Sequence, residues 1–250
     1  MRKLLLIIDP QNDFVNPCGS LFIPGATEAI RNIIYYISAH GEELSGIAVT
    51  MDTHHAFHIA NPGFWDPLPD PFTKITVDDI KSGKYVPLKE EYIETTKTYL
   101  ESIGGEITIW PEHCLEGSNG WSMPDQLVDA INNWELDSNP VEFAELYQKG
   151  QNPSFEAFSL FTEAPGHSGY RPYADIDVFS DYDKIIVCGF AKDICVANTV
   201  MDMLRDGEKY YKDKLVFFDP GMASIDPNSP MNQVFADAVE HLGAEILNKV

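Results

Sequence analysis

Basic residues are scarce in this chain of 250 residues. Lys and Arg together number 17 against 39 Asp and Glu, which gives a formal net charge of −22. A surface of this sign repels the phosphates of nucleic acids and of anionic lipids. The composition therefore predicts a protein with neither a nucleic-acid partner nor a membrane partner.

Long apolar runs are also missing. The run at residues 4–8, Leu-Leu-Leu-Ile-Ile, is too short for a membrane span or for the apolar part of a secretory signal. No later stretch is long enough to cross a bilayer. We therefore expect a soluble, cytoplasmic protein.

Cysteine is rare and shows no paired spacing. Cys18, Cys114, Cys188 and Cys195 contain no CxxC pair, which argues against a zinc knuckle. Disulfides are not needed in a soluble chain of this size. Because most cysteines are buried packing residues, a reactive thiol has to be argued from its surroundings.

A glycine-rich phosphate loop is missing as well. The first apolar run is followed by Asp9-Pro-Gln instead of a GxGxxG pattern. This argues against a dinucleotide-binding domain.

What the chain does have is an alternation of short apolar runs with longer amphipathic stretches. This pattern predicts a three-layer, doubly wound α/β fold, with a mostly parallel sheet and helices on both faces. Strands are predicted at 4–8, 46–50, 107–110, 184–188, 215–218 and 244–247, and helices at 26–39, 122–133, 194–206 and 231–242. We expect one domain covering residues 1–250.

Two stretches look like insertions. Residues 56–87 are rich in proline and aromatic residues, which excludes a regular helix or a central strand and is typical of a lid or pocket wall. The stretch 153–182 is a weaker candidate of the same sort. His55 and His58 are interpreted as histidines of a surface loop.

Reactive side chains follow the predicted strands. In open parallel sheets, ligands bind at the carboxyl ends of the strands, so these side chains are expected at one edge. They are Asp9, Asp13, Asp52, His54, His113 and Cys195; Lys149 comes near the end of the segment 141–147, before the strand at 184–188, and is expected at the same edge.

Cys195 lies in the first turn of the predicted helix 194–206. There the helix dipole favours the thiolate, and the free backbone N–H groups can bind an oxyanion. Asp9 could accept the thiol proton and return it to a leaving amine. Lys149 could pair with Asp9, whereas a capping role suits Asp13 better.

Asp52 and His54 are two residues apart after the second strand, which puts them on one face. His113 would supply a third ligand. One carboxylate and two imidazoles with open positions suit a catalytic Zn²⁺, with Fe²⁺ or Mn²⁺ as alternatives.

Five motifs carry a family resemblance between residues 4 and 205. They are Asp9-Pro-Gln-Asn-Asp-Phe14, Asp52-x-His54, Trp110-Pro-x-His113-Cys114, Lys149-Gly150 and Gly189-Phe-Ala-x-Asp-x-Cys195. In this order they resemble the isochorismatase-like cysteine hydrolases, and within them the nicotinamidase/pyrazinamidase branch.

The resemblance implies a fold, an activity and a set of site residues. It implies conversion of nicotinamide to nicotinate and ammonia through a thioester on the nucleophilic cysteine, by a homo-oligomer that acts on a small amide. The implied residues are the triad Asp9, Lys149 and Cys195, the metal ligands Asp52, His54 and His113, the oxyanion donors Ala191 N–H and Cys195 N–H beside a cis Phe190–Ala191 bond, and Phe14 and Trp65 flanking the substrate ring.

Two features depart from the pattern. Lys192 stands where the family usually has threonine, and the insertion at 56–87 lengthens the pocket wall. A related hydrolase acting on another amide or carbamoyl compound is therefore an alternative, and an inactive ligand-binding homologue is a second. Isochorismatase activity itself needs no thiol nucleophile, so Cys195 argues against it.

Overall fold

A six-stranded parallel sheet lies at the centre of the computed structural model, which describes residues 1–162 and 174–249. Its strand order is β10-β9-β8-β1-β2-β7, and every pair is parallel. The strands are β1 Lys3–Ile8, β2 Gly46–Asp52, β3 Trp65–Asp66, β4 Lys74–Thr76, β5 Val86–Pro87, β6 Glu106–Thr108, β7 Glu145–Lys149, β8 Lys184–Phe190, β9 Leu215–Ala223 and β10 Glu245–Leu247. The helices are α1 Asn12–Val15, α2 Ala26–His40, α3 Val77–Ser82, α4 Ile93–Ser102, α5 Asp125–Asp137, α6 Ala197–Arg205, α7 Glu208–Tyr211 and α8 Gln233–Leu242.

The continuous apolar runs form the middle of this sheet. Strand β1 is buried from its second residue onward, and β2 is buried throughout, because neighbouring strands and helices cover both. Helix α2 packs against β9 and α5, and α6 packs against α8. The predicted fold class, an α/β sheet flanked by helices, is confirmed.

One predicted central strand is wrong. Residues 107–110 were expected in the main sheet, but β6 pairs antiparallel with β4 in a separate two-stranded sheet. The place beside β2 is taken by β7, an edge strand with only one fully buried residue. An edge strand of this kind has no continuous apolar run by which the sequence could reveal it.

The insertion at 56–87 is not a bare loop. It contains β3, β4, α3 and β5, and it packs with α4 and β6 around a second hydrophobic cluster. The buried members of this second cluster are Ile59, Phe64, Trp65, Ile75, Val77, Ile80, Tyr99, Leu100, Ile107, Ile109 and Phe155. The single-domain description of residues 1–250 stays a prediction.

The second proposed insertion, 153–182, falls partly on residues 163–173, which lie outside the described residues. Within the described ranges, no helix is both long and apolar enough to cross a membrane.

Candidate active site

Asp9 directly follows β1 and is fully buried, with a positive φ of 47° that turns the chain out of the sheet. The Thr50 hydroxyl donates to Asp9 Oδ1 at 2.6 Å. The Lys149 ammonium lies 2.8 Å from Asp9 Oδ2. The carboxylate is thus held between a neighbouring strand and a buried cation.

Lys149 ends β7, where the strand register places it opposite Asp52. Its Nζ lies 3.2 Å from Asp52 Oδ1 and donates to Ala157 O at 2.9 Å. The same Nζ is 3.6 Å from Cys195 Sγ. The fully buried Lys149 ammonium therefore contacts the carboxylates of Asp9 and Asp52 and the thiol of Cys195.

Cys195 lies in a π-helical turn, Lys192–Val196, that leads into α6. The predicted helix is thus present, but its first turn is wider than an α-turn, as often seen at functional sites. Burial raises the pKa of the Cys195 thiol well above its usual value, against the lowering effect of Lys149. The net direction is opposite to the lowering expected from the helix N-terminus, so a reaction at this thiol calls for a base that removes its proton.

The two carboxylates beside Lys149 differ in proton affinity. Burial raises the pKa of Asp9, although Lys149 partly offsets this. Burial acts in the same direction on Asp52, but His54, Lys149 and His113 outweigh it and hold the pKa of Asp52 well below its usual range. Asp9 is thus suited to hold and release a proton, whereas Asp52 stays an anion that can bind a cation.

Asp52, His54 and His113 come together as a buried group of potential metal ligands. His113 Nε2 is 3.2 Å from Asp52 Oδ2, and His54 Nε2 is 3.6 Å from Asp52 Oδ1. The other ring nitrogens face backbone carbonyls, with His54 Nδ1 3.3 Å from His113 O and His113 Nδ1 2.7 Å from Pro111 O. These contacts leave both Nε2 atoms to face the carboxylate, as metal-binding histidines require.

The sequence suggested that His113 follows a central strand, but the structure places it elsewhere. It lies in the loop after β6, and this loop is joined to the end of β2 by the hydrogen bond from His54 N to Cys114 O. Asp13 Oδ2 accepts a further hydrogen bond from Cys114 N at 2.7 Å. Asp13 therefore positions the His113 loop, a longer-range contact than the helix or turn cap expected for it.

Sequence reasoning missed two further positioning residues. The Gln11 amide forms two hydrogen bonds with the backbone of Asp52, through Nε2 at 2.6 Å and Oε1 at 2.8 Å. Asp193 accepts from the backbone N–H groups of Ile225 and Asp226 and so ties the Cys195 turn to the loop after β9. Both belong to the quoted motifs, but their spacing alone assigns them no partner.

Gly150 follows Lys149 with a positive φ of 84°. A Cβ atom there would lie 3.2 Å from both Asp52 Oδ1 and the His54 ring. The position needs glycine because the backbone turns left-handed and passes directly against two potential metal ligands.

A small, largely apolar cavity lies above Cys195. Phe14 lines it, as expected, and its ring centroid is 5.5 Å from that of His113. Trp65 does not line it, because its side chain is buried in the second cluster and its indole N–H donates to Ile59 O. The described lining residues are Phe14, Leu21, Ile23, Asp52, Trp110, His113, Glu156, Phe158, Ala191, Ile194, Cys195 and Ile225. Trp110 is the tryptophan that the structure brings to the site.

The remaining predicted residues are also located. Ala191 lines the cavity, and the Phe190–Ala191 peptide bond is cis, as the resemblance implied. Lys192, which replaces the usual threonine, forms an ion pair with Asp219, with Nζ 2.5 Å from Oδ1. His55 is exposed as expected, but the surface interpretation of His58 is wrong, because His58 is fully buried against the His54 ring.

Comparison with known proteins gives a consistent picture. No protein-family model matches the chain. The nicotinamidase of Saccharomyces cerevisiae is 26% identical over 216 residues, which are 83% of each chain. The nicotinamidase of Escherichia coli is 24% identical over 216 residues, covering 83% of this chain and 78% of its own.

Solved structures share the fold. The yeast nicotinamidase structure matches 99% of this chain and 100% of its own with a TM-score of 0.70 at 21% identity. The pyrazinamidase of Pyrococcus horikoshii in complex with zinc matches 100% of both chains with a TM-score of 0.58 at 20% identity. The chain is thus similar in sequence to nicotinamidases over most of its length and shares the fold of nicotinamidases and pyrazinamidases, which confirms the resemblance indicated by its motifs.

Proposed function

We propose that the protein is a metal-dependent cysteine amidohydrolase that converts nicotinamide to nicotinate and ammonia through a thioester on Cys195. The enzyme class, a hydrolase of amide carbon–nitrogen bonds, follows from the nicotinamidases to which the chain is similar. The observation that carries the mechanism is the Lys149 ammonium, which is 2.8 Å from the Asp9 carboxylate and 3.6 Å from the Cys195 thiol. These groups meet beside an apolar cavity that also reaches Asp52 and His113.

The cavity suits a flat aromatic amide. Phe14, Trp110 and Phe158 offer apolar ring surface, and Cys195 lies at the same cavity. Burying an aromatic ring between such side chains excludes water from the amide that is to be attacked.

The first half of the reaction forms a thioester. Asp9 takes the proton from Cys195 Sγ, and the sulfur attacks the amide carbon to form a C–S bond. The carbonyl oxygen gains the negative charge, for which we propose the N–H groups of Ala191 and Cys195 as donors. The C–N bond then breaks, and Asp9 returns its proton to the departing nitrogen, which leaves as ammonia.

The second half releases the acid. Asp9 removes a proton from a water molecule, whose oxygen attacks the thioester carbon. The C–S bond breaks, the sulfur recovers the proton from Asp9, and the acid leaves as nicotinate after its own proton passes to the solvent. Lys149 holds the Asp9 carboxylate in place through both halves, because its own pKa stays well above the usual value despite burial.

The residues at the end of β2 fit a divalent metal. The His54 Nε2 atom is buried and has no hydrogen-bond partner in the described part of the chain. Burial lowers the pKa of His54, but the carboxylates of Asp52 and Glu156 outweigh it and raise this pKa to about 9, so the site favours positive charge. Asp52, His54 and His113 would hold Zn²⁺, with Fe²⁺ or Mn²⁺ as alternatives. When bound, such an ion supplies a Lewis-acidic point for the ring nitrogen of a pyridine carboxamide, directly or through a water.

The proposal is tested by ammonia release from purified protein. We expect turnover of nicotinamide well above that of benzamide, which lacks the ring nitrogen, and we expect a chelator to remove the nicotinamide activity and added zinc to restore it. Turnover of unrelated amides without turnover of nicotinamide would contradict nicotinamide as the substrate, but not Cys195 as the nucleophile. Turnover that survives complete metal removal would contradict the metal dependence.

A second candidate is hydrolysis of a larger amide or carbamoyl compound. The cavity shares Trp110, Glu156 and Phe158 with a wider groove that runs along α6 and β6. Such a groove could hold a substituent that nicotinamide lacks, so the substrate panel should include N-substituted amides. Binding of these compounds without any ammonia or amine release would instead favour an inactive homologue. The cytoplasmic location and the homo-oligomeric state stay predictions.

A further inference from the structure

We propose that Tyr99, in helix α4 of the second cluster, is a positioning residue for the proposed reaction. Its hydroxyl fixes the backbone next to Ala157, whose carbonyl oxygen in turn holds the Lys149 ammonium. The inference rests on the proposed function, because the place of Lys149 matters only if the triad carries out the reaction. It gives a task to a residue outside the motifs that carry the resemblance.

The Lys149 ammonium has three N–H groups and is fully buried, so each group needs an acceptor. Its Nζ is 2.8 Å from Asp9 Oδ2, 3.2 Å from Asp52 Oδ1 and 2.9 Å from Ala157 O. Two of these acceptors are carboxylates of the site, whereas the third is a backbone atom that moves with its own segment. If Ala157 O withdraws, one buried N–H loses its acceptor, which is costly, and Nζ can shift from its place 3.6 Å from Cys195 Sγ.

The Tyr99 hydroxyl fixes the two peptide groups that precede the carbonyl of Ala157. It accepts a hydrogen bond from Glu156 N at 3.0 Å and donates one to Glu156 O at 3.3 Å. The segment 153–160 contains no strand, so this side chain supplies the contacts that a neighbouring strand would supply in a sheet. A shift of the Glu156 backbone would pass directly to Ala157.

The second cluster and helix α6 hold the two ends of this segment. Tyr99 is buried, and its ring lies edge-on against Phe155 with the centroids 5.1 Å apart. At the other end, Leu160 N donates to Thr199 Oγ1 of α6 at 3.3 Å. Ala157 lies between these two anchors, and Tyr99 provides the anchor on the side of the second cluster.

The same segment also forms part of the cavity wall. Phe158 lines the cavity and directly follows Ala157 in the chain. The other lining residues do not depend on Tyr99, whereas the contact of Lys149 with Ala157 O does. The loss of the hydroxyl should therefore affect the chemical step, measured by kcat, more than substrate binding, measured by KM.

The direct test is the crystal structure of the Tyr99→Phe protein beside that of the wild type. Phenylalanine keeps the ring that packs on Phe155 and removes only the hydroxyl. We expect Ala157 O to lie more than about 3.5 Å from Lys149 Nζ, beyond hydrogen-bond distance. A contact that stays at 2.9 Å would overturn the inference. This readout does not depend on activity.

The second readout is nicotinamide turnover at saturating zinc, per folded enzyme. For Tyr99→Phe we expect kcat to fall by about 10-fold or more, since a misplacement of about 1 Å can cost roughly 100-fold, while KM changes less. A variant that is less stable but keeps the wild-type kcat would show a purely structural role and overturn the inference. Recovery of kcat on adding more zinc would overturn it too, because Tyr99 would then act through the metal site.

Two control variants separate this role from a general loosening of the second cluster. Tyr92→Phe removes a hydroxyl from a tyrosine whose ring packs against Phe57 and Phe64 of the same region, and it should keep the wild-type kcat. Ile80→Val weakens the cluster from helix α3 and should lower stability without lowering kcat. A loss of kcat in Ile80→Val equal to that in Tyr99→Phe would contradict the inference.

Failure of the proposed function would look different. Wild-type protein that releases no ammonia from nicotinamide would contradict the proposed function, and the crystal structures would still show whether the Tyr99 hydroxyl holds Ala157 O against Lys149. Normal wild-type turnover with an unchanged kcat in Tyr99→Phe would overturn the role of Tyr99 and leave the proposed function intact.

Discussion

At the residue scale, two buried carboxylates lie on either side of one ammonium, and their pKa values move in opposite directions. Burial raises the pKa of Asp9, while His54, Lys149 and His113 together lower that of Asp52. Pairs of titratable groups whose environments separate their pKa values often divide acid–base and electrostatic roles between them. Asp9 is therefore the proton carrier of the proposed reaction, and Asp52 is the permanent anion.

The raised pKa of Asp9 predicts the pH dependence of the reaction. Asp9 must be ionised to accept the proton of Cys195, so kcat/KM falls when the pH drops through the pKa of Asp9 in the free enzyme. We expect the midpoint of this acid limb above about 3.9, the ordinary pKa of aspartate. The measurement is a pH profile of nicotinamide hydrolysis at saturating metal, with circular dichroism to show that the protein stays folded. A kcat/KM that stays constant down to pH values near 4 would contradict the assignment.

The sequence predicts the position of a residue when that residue belongs to a motif. It does not predict the position when only tertiary burial determines where the side chain lies. The Lys149 ammonium contacts both the Asp9 carboxylate and the Cys195 thiol, and all three residues belong to the motifs that carry the resemblance. Trp65 and His58 could not be placed, because their surroundings come from the second cluster, whose contacts are not encoded in local spacing.

At the element scale, the short helix α3 depends on its first turn. The Thr76 hydroxyl accepts a hydrogen bond from Asp79 N, and the Asp79 carboxylate accepts one from Thr76 N. This reciprocal capping box satisfies two backbone donors that the helix cannot satisfy itself. It therefore anchors one wall of the second cluster, to which Val77 and Ile80 belong.

Removal of this cap should destabilise the protein measurably. Thr76→Ala is expected to lower the free energy of unfolding by ~1 kcal/mol, since a helix N-cap is lost. Denaturant unfolding of the metal-loaded protein gives the value. Thr98→Ala is the matched control, because Thr98 lies on the exposed face of α4 and its hydroxyl donates to Glu94 O within its own helix. Equal stabilities of the two variants would show that the cap does not contribute.

The elements that sequence reasoning found are those with a strong periodic pattern. The central strands β1, β2 and β8 were found because burial on both faces produces continuous apolar runs. Strand β7 was missed as a sheet strand and β6 was assigned to the wrong sheet, because an edge strand and a two-stranded ribbon leave similar short patterns. Pairing partners are set by tertiary contacts, which a single sequence does not show.

At the scale of the whole molecule, the metal site joins the two hydrophobic clusters. Asp52 and His54 extend from the central sheet, whereas His113 lies in the loop that leaves the second cluster after β6. A metal bound to all three would therefore link the central sheet to the second cluster. His113 is far from the other two ligands in the unfolded chain, so the metal stabilises the folded state.

Metal binding should for this reason stabilise the whole protein. Zinc at 100 times its dissociation constant should add about 2.7 kcal/mol to the free energy of unfolding. For a chain of this length, this corresponds to a rise in Tm of roughly 5–10 °C. Differential scanning calorimetry checks the shift, and His113→Ala should abolish it. An equal shift in His113→Ala would show that zinc stabilises the protein from another site.

The large negative charge belongs to this scale too. It is the basis of a prediction about partners only, and it says nothing about the buried site, where Lys149 and the surrounding carboxylates determine the local potential. The function therefore had to be inferred from a few residues at strand ends and not from the composition.

The most direct test of the account is the rate of ammonia release from nicotinamide by the Cys195→Ala protein, beside the wild type and Cys188→Ala. Cys188 is a second buried cysteine, in strand β8, and its thiol contacts only Leu6 O among the described hydrogen-bond partners. We predict that Cys195→Ala stays folded and releases no ammonia above background, whereas Cys188→Ala keeps turnover close to that of the wild type. Full activity in Cys195→Ala would contradict the central claim, because the amide carbon would then be attacked by some other group.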